Sequence, residues 1–393
     1  MSELNLDKKI RGDAARKALK DLIELTKTSK YITNYVENYK IGKPGYDNKN
    51  QFKAHFLIEF CNDNKWIIFS TTSIRDRVKE QYWDAYNFKD LDKTILKAYL
   101  VYPDSISKNE TKNAISKNLK IQNKKEYSTI DGIISQEELY GLIELEALKN
   151  KSDGQAFDKK GNNFEKRIVT ILKNKSNLEK WKGVGNRDGV NYEIFSTILN
   201  EFNIDPETLI NIDATCEKEI IGLLPSGGAP KTDVLVTIIF SDNSKKYYTI
   251  SCKRSSRSSV SIHQYTADAF ADVLDKENDE LRKLLKLFQE KGNRRDMGED
   301  NANKLEEELK PYNKKLAFWA LGGIGGQGTP EKQWANYILT YDNNDRTVSF
   351  HNLNAYYDLL VDSKVKGMFG TLFGWTYQGQ RGKNIQLTCK ILK

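Results

Sequence analysis

Pro230-Lys231-Thr232-Asp233, continued by Val-Leu-Val-Thr-Ile-Ile-Phe240, then Ser-Asp-Asn-Ser-Lys-Lys246, then Tyr-Tyr-Thr-Ile-Ser251-Cys252-Lys253, is the stretch on which the fold turns. Two runs of apolar, β-branched and aromatic residues flank a polar Asp-Asn-Ser tip, the pattern of a β-hairpin. Asp233 stands where the first strand begins. Ser251 and Lys253 lie two apart on the second strand, so the alternation of side chains puts them on one face. A carboxylate and an ammonium thus converge at one end of a two-stranded ribbon, an arrangement suited to one Mg²⁺ held against a phosphate with a lysine beside the attacking water.

Outward from the hairpin, the chain reads as soluble α/β protein. Its 393 residues are enough for two or three domains. Four cysteines, Cys61, Cys216, Cys252 and Cys389, show no CxxC or Cys/His ligand spacing, which argues for reduced thiols and against structural zinc. No apolar run approaches the length of about 18 to 20 residues that spans a bilayer, and the first residues lack a signal-peptide pattern, so a cytoplasmic location is expected. Lys and Arg number 62 against 54 Asp and Glu, a net charge of +8, which is compatible with a polyanionic partner. An aromatic content of 11% and a hydrophobic content of 38% exclude a disordered chain.

Ahead of the hairpin, residues 14–29 carry Leu19, Leu22, Ile23 and Leu25 at helical spacing. Residues 54–60 and 66–70 form a second hairpin pattern, a helix capped by Thr71-Thr72-Ser73 follows over 74–83, and 97–102 returns as a strand. Residues 104–133 are polar and read as exposed helix and linker, a helix spans Gln136–Asn150, and a domain boundary falls between 150 and 160. Beyond it come a helix over 163–172, the central hairpin, a capped helix from Ser261 to Leu274 and a charged helix from Glu277 to Gly292. Strands at 336–341 and 347–351, a helix at 355–365 and a terminal hairpin at 371–391 complete the chain. The acidic and basic run Asp275–Lys310 reads as a solvated helical face.

Several motifs carry no chemistry. Gly323-Ile-Gly325-Gly-Gln-Gly328 satisfies GxGxxG, but it opens no βαβ unit and runs into Thr329-Pro330. Gly222 to Gly227 has phosphate-loop spacing with Gly228 where the lysine belongs. His55, His263 and His351 are isolated, so a histidine-metal nuclease lacks its residues.

The pattern Glu165…Pro-x-x-Asp233…Ser251-x-Lys253 gains weight from its surroundings. Ser226-Gly227-Gly228-Ala229 lets backbone approach a ligand, while Arg254 and Arg257 offer cations to phosphates. Taken together, Gly227-Gly-Ala-Pro-Lys-Thr-Asp233, Ser251-Cys-Lys253, Ser255-Ser-Arg-Ser-Ser-Val-Ser-Ile262 and Phe369-Gly-Thr-Leu-Phe-Gly-Trp-Thr-Tyr377 resemble the MspI family of type II restriction endonucleases, over residues 155–393. The resemblance implies a PD-(D/E)xK nuclease core, a mixed sheet flanked by helices, beside a separate amino-terminal α/β domain over residues 1–150. It implies cleavage of both strands of duplex DNA at a short CCGG-like site. By motif position Asp233 resembles the metal-binding aspartate and Lys253 the catalytic lysine. The Cys252 carbonyl would be a further metal ligand, and Glu165 the helix glutamate that completes such sites through water. Ser251 stands where most of the superfamily has Asp or Glu; this family carries a neutral amide there, and a hydroxyl is shorter.

Ser261, Thr376 and Gln386 match positions that lie at the DNA, and Lys231 and Gln264 join them as DNA-facing candidates. Arg381 and Lys383 suit phosphates. The resemblance also implies a cognate DNA methyltransferase in a restriction-modification system, and a monomer or homodimer. The amino-terminal domain is expected to extend or modulate target recognition. Alternative readings are a modification-dependent or repair endonuclease, or an inactive nuclease scaffold that only binds DNA.

Overall fold

A computed structural model describes residues 3–42, 51–74, 77–103, 108–123, 129–149, 164–184, 190–255, 259–342, 347–365, 367–378 and 384–390. Two compact units emerge: Met1–Lys160 with Glu179–Glu193, and Gly161–Leu178 with Ile194–Lys393. The division is thus not a single cut near residue 150–160, because Glu179–Glu193 clusters with the first unit.

The first unit is built on a five-stranded sheet in the order β1 (Asn34–Ile41), β2 (Phe52–Glu59), β3 (Lys65–Ser70), β4 (Ile95–Tyr102), β5 (Gly132–Ser135). The first three strands are antiparallel neighbours, and β3, β4 and β5 run parallel. Helices cover both faces, as a buried parallel portion requires. On one face α1 (Glu3–Thr28) contributes Leu19, Leu22 and Ile23, which join Phe56, Ile58 and Trp66 of the sheet. On the other, α2 (Arg77–Leu91) and α3 (Lys108–Gln122) set Phe88 and Ala114 against Ile67 and Leu100. The helix α4 (Gln136–Leu148) starts on a capping box: Ser135 accepts from the Glu138 amide, and the Glu138 carboxylate accepts from the Ser135 amide. The expected hairpin at 54–70 and the strand at 97–102 are present as β2, β3 and β4. β1 and β5 were not legible. β1 is an exposed edge with a positive φ at Asn38, and β5 is four buried residues that start at the end of the expected linker, held by pairing with β4.

The second unit begins with α5 (residues 164–173), followed in the chain by α6 (Lys175–Trp181) and α7 (Val190–Glu201). Its larger sheet has the order β11-β10-β8-β7-β6, made of β6 (Leu209–Thr215), β7 (Val234–Phe240), β8 (Lys245–Ser255), β10 (Tyr337–Asp342) and β11 (Thr347–Asn352). β8 lies at the centre, antiparallel to β7 and parallel to β10. The short helix α8 (Lys218–Ile221) precedes β7. A three-stranded sheet follows, in the order β12 (Gly374–Gln378), β13 (Asn384–Lys390), β9 (Ser259–Tyr265).

Here two expectations are corrected. The segment from Ser261 to Leu274 is not one helix: Ser259–Tyr265 is strand β9, and α9 (Ala267–Asp275) starts only after Thr266, whose hydroxyl accepts from the Ala269 amide. Ser-Val-Ser-Ile alternates with period two, and the Thr cap marks the true start. The charged run Asp275–Lys310 is only half solvated. Its helices α10 (Asp279–Lys291) and α11 (Glu299–Leu309) bury Leu281, Leu285, Phe288, Leu305 and Leu309. This core also takes Trp319 from α12 (Asn313–Gly322), Leu360 from α13 (Leu353–Asp362) and Trp375 from β12. No helix among the described residues is long and apolar enough to cross a membrane, and the four cysteines are free thiols.

Candidate active site

The β7–β8 hairpin turns through Phe240–Ser244, where the Phe240 amide donates to the Ser244 carbonyl at 3.0 Å. At its far end the Asp233 amide donates to the Ile250 carbonyl at 2.8 Å, which pins Asp233 beside the strand that carries Ser251 and Lys253. The Asp233 Oδ2 atom then accepts three hydrogen bonds: from the Cys252 amide at 2.7 Å, from the Ser251 hydroxyl at 3.2 Å and from the Lys253 ammonium at 3.2 Å. Lys253 Nζ donates further to Ser251 Oγ at 2.7 Å and to the Cys252 carbonyl at 3.1 Å. Ser251 is fully buried, while Asp233 and Lys253 keep side-chain exposures of 22% and 14%. The four residues singled out on the hairpin therefore form one hydrogen-bonded cluster with a solvent-reachable ion pair.

Glu165, on α5, joins this cluster electrostatically. Burial, and after it the negative charge of Asp233, push its carboxyl well above the usual range, to about 8; Lys253, Lys218 and Lys166 oppose the shift. A buried carboxyl whose proton affinity is raised beside a second carboxylate marks a place where a cation is favoured. Burial lifts the Cys252 thiol well above its ordinary value, so that sulfur is no nucleophile.

Lys231 is placed differently from a surface phosphate contact. Its ammonium donates inward to the Ile262 carbonyl, and burial, with the nearby Lys253 charge, lowers it to about 7. Gly323, at φ +76, passes over the Lys231 stem, where a Cβ would lie 3.0 Å from the Lys231 Cγ. Arg254 is half-buried with its guanidinium over the rings of Phe164 and Tyr341, at 5.8 and 5.7 Å. Arg257, Arg381 and Lys383 lie outside the described residues.

The remaining candidates fall on the smaller sheet. Thr376 pairs with Gln386, and Gln386 with Gln264, so the three form one row across β12, β13 and β9. Ser261 pairs with Thr388 beyond a register shift between Leu387 and Thr388. Along β13, Ile385, Leu387 and Cys389 are buried while Gln386 and Thr388 are half-buried, which leaves the row on a polar face.

Sequence reasoning passed over Arg167 and Lys218. Arg167 is 1% exposed, with its guanidinium 5.7 Å from the Tyr341 ring centroid. A signal existed: Arg167 interrupts the apolar stripe Phe164, Ile168 and Ile171 of α5 at helical spacing. Lys218 acts on Glu165 from α8, and nothing in the sequence pairs the two.

Comparison with known proteins agrees with this architecture. The type II restriction enzyme BsuFI of Bacillus subtilis is 29% identical over 98% of both chains. The type II restriction enzyme MspI of a Moraxella species is 25% identical over 63% of this chain and 96% of its own. The BsuFI match thus takes in nearly the whole chain, whereas the MspI match covers less than two thirds of it. A crystal structure of MspI with its cognate DNA superposes with a TM-score of 0.55 at 23% identity, covering 64% of this chain and 98% of that one, which establishes a shared mixed α/β fold. The family model described as restriction endonuclease MspI matches residues 140–389, from α4 through β13 and across the whole Asp233–Lys253 cluster, so the chain belongs to the MspI family of type II restriction endonucleases.

Proposed function

We propose that this restriction endonuclease hydrolyses phosphodiester bonds in duplex DNA at a short CCGG-like site, through a PD-(D/E)xK arrangement of Asp233, Ser251 and Lys253 that works with Mg²⁺. The observation that carries the reading is the single cluster in which Asp233, the Ser251 hydroxyl, the Cys252 peptide and the Lys253 ammonium meet. The oxygen set suits a hard divalent cation. Asp233 Oδ1 accepts no hydrogen bond among the described residues, and the raised Glu165 carboxyl would be relieved by positive charge. Asp233 and the Cys252 carbonyl would hold the ion directly, with Glu165 acting through water. When bound, Mg²⁺ polarises the phosphate and lowers the pKa of water.

The chain's own residues do the rest. Lys253, held by Ser251 and Asp233, orients the attacking water and offsets the charge that develops on the phosphate. The Ser251 hydroxyl accepts from Lys253 and donates to Asp233, so it fixes the lysine without adding a third carboxylate. Cleavage leaves a 5′-phosphate and a 3′-hydroxyl. The polar row Thr376, Gln386 and Gln264, with Ser261 nearby, reads base edges, and Arg254, Arg257, Arg381 and Lys383 contact phosphates. The enzyme would act in the cytoplasm beside a cognate methyltransferase.

The test is digestion of plasmid carrying CCGG sites with Mg²⁺ or with EDTA, followed by sequencing of the fragment ends. Lys253→Ala and Asp233→Ala should each lose cutting by roughly 10²- to 10⁴-fold while sequence-specific binding persists. Full cutting by either variant would overturn the assignment, and equal loss of binding would make these residues structural.

A further inference from the structure

Strand β9 carries one residue more than the strand it pairs with. Its Gln264, His263 and Ser261 face Gln386, Leu387 and Thr388 of β13, so the step from His263 to Ser261 answers a single step on β13 and leaves Ile262 without a partner. Ile262 is the extra residue of a β-bulge. Burial agrees. Ile262 and His263, adjacent in the chain, are both buried, at 6% and 4% exposure, where a regular strand would turn one of them outward. The bulge shapes the polar face. Ser261 and Gln264 stand three apart, which in an unbroken strand puts their side chains on opposite faces. The extra residue returns them to the same face, beside their partners Thr388 and Gln386, which lie two apart on β13.

Lys231 reaches this bulge from outside the sheets. Its ammonium donates to the carbonyl of Ile262. Two residues further on, the Asp233 amide donates to the Ile250 carbonyl of β8 at 2.8 Å. The Lys231 stem is confined by Gly323 at the end of α12, where a Cβ would lie 3.0 Å from Lys231 Cγ. Upstream, the glycine-rich segment 222–228 is braced against the glycine-rich segment 323–334. The Ser226 amide donates to Gln327 Oε1 at 3.1 Å, and Gln333 Nε2 donates to the Leu223 carbonyl at 3.0 Å. The two glycine runs that open no nucleotide-binding loop therefore have a mechanical part: they fix the backbone from which Lys231 projects. One short segment thus holds the bulge of β9 at Lys231 and the carboxylate of the catalytic cluster at Asp233.

We infer that Lys231 is a positioning residue for specificity: by pinning the bulge at Ile262 it holds Ser261 and Gln264 on one face and ties that face to Asp233. The inference rests on the reading that this face contacts bases. Correct base pairs that seat β9 then also seat Asp233, and a wrong pair that displaces β9 displaces Asp233 with it, so recognition is coupled to assembly of the catalytic site.

The test compares wild type with Lys231→Met, which keeps a stem beneath Gly323 and removes the donor. Single-turnover cleavage with Mg²⁺ is measured on a duplex carrying the enzyme's cleavage site and on one with a single base pair of that site changed. Lys231→Met should lower the ratio of the two rates by about tenfold or more. Its melting temperature should stay within about 4 °C of wild type. Hydrogen exchange in EDTA without DNA should quicken across 259–265 and stay slow across 234–240. Equal rate losses on both duplexes would make Lys231 a support of Asp233 alone, and unchanged exchange across 259–265 would mean that it does not hold the bulge; either result overturns the inference. Gln386→Ala separates this failure from failure of the reading beneath it. If Gln386→Ala lowers the rate ratio and Lys231→Met does not, the positioning role falls and base reading stands. If neither lowers it, the face does not read bases and both fall. Should Lys231→Met fail to fold, Lys231→Gln, whose shorter side chain stops short of the Ile262 carbonyl, carries the same comparison.

Discussion

Asp233 concentrates three donors on one oxygen, and the least expected of them is Ser251. The hydroxyl takes the place of a carboxylate, so Lys253 is oriented by a neutral acceptor at 2.7 Å instead of being neutralised by a second acid. Removing one such hydrogen bond costs about 1 kcal/mol. Ser251→Ala should therefore slow cleavage roughly fivefold to tenfold with little change in DNA affinity; an unchanged single-turnover rate would mean that the hydroxyl does not position the lysine. Glu165 supplies a pH test. Its carboxyl has an ordinary value of 4.5 and sits near 8 in the folded chain. Between these values the folded state keeps a proton that the unfolded state has lost, so the contribution to stability is full below about 4.5 and falls as pH rises toward 8. In EDTA, urea unfolding of wild type should lose more stability between pH 5 and pH 8 than Glu165→Gln does. Parallel profiles would show that Glu165 is not held protonated. Asp233 and Lys253 were legible because strand alternation is a local rule, whereas the charge state of Glu165 depends on a helix that precedes the hairpin by about sixty residues.

At the scale of elements, the three-stranded sheet lines up residues from three separate segments. Thr376 and Gln386 belong to one hairpin, close in the chain, but Gln264 reaches the same row only because β9 pairs with β13. The register shift between Leu387 and Thr388 offsets Ser261 from that row, a feature that no period-two pattern foretells. A good base-edge contact discriminates by about 1–3 kcal/mol, so Gln386→Ala should lower cleavage at the cognate site roughly 10- to 100-fold and leave non-specific binding intact. Uniform weakening on all sequences would mark Gln386 as a backbone contact. The expected helix from Ser261 failed for a physical reason as well: Thr266, not a serine upstream, has the hydroxyl that caps α9.

On the scale of the whole molecule, the excess of 62 basic over 54 acidic side chains matters only where cations gather. If Arg254, Arg257, Arg381 and Lys383 each displace one counterion, log K for non-specific duplex should fall with log salt at a slope of about −3.6. A slope near zero, measured by fluorescence anisotropy over a sodium chloride series, would remove these residues from the DNA interface. The two units differ in how far they could be read. In the first, the hairpin, the β4 strand and the α4 helix were evident, while the edge strand β1 and the four-residue β5 were hidden because pairing, not propensity, holds them. The amino-acid sequence by itself determined the central hairpin, the side of it that bears Asp233, Ser251 and Lys253, and the likeness to restriction endonucleases, since alternation, turn chemistry and motif order are properties of short stretches. Only the tertiary structure decided that Lys231 turns inward to Ile262 and that Glu165 shares the field of Asp233, because each depends on burial created by residues far apart in the chain.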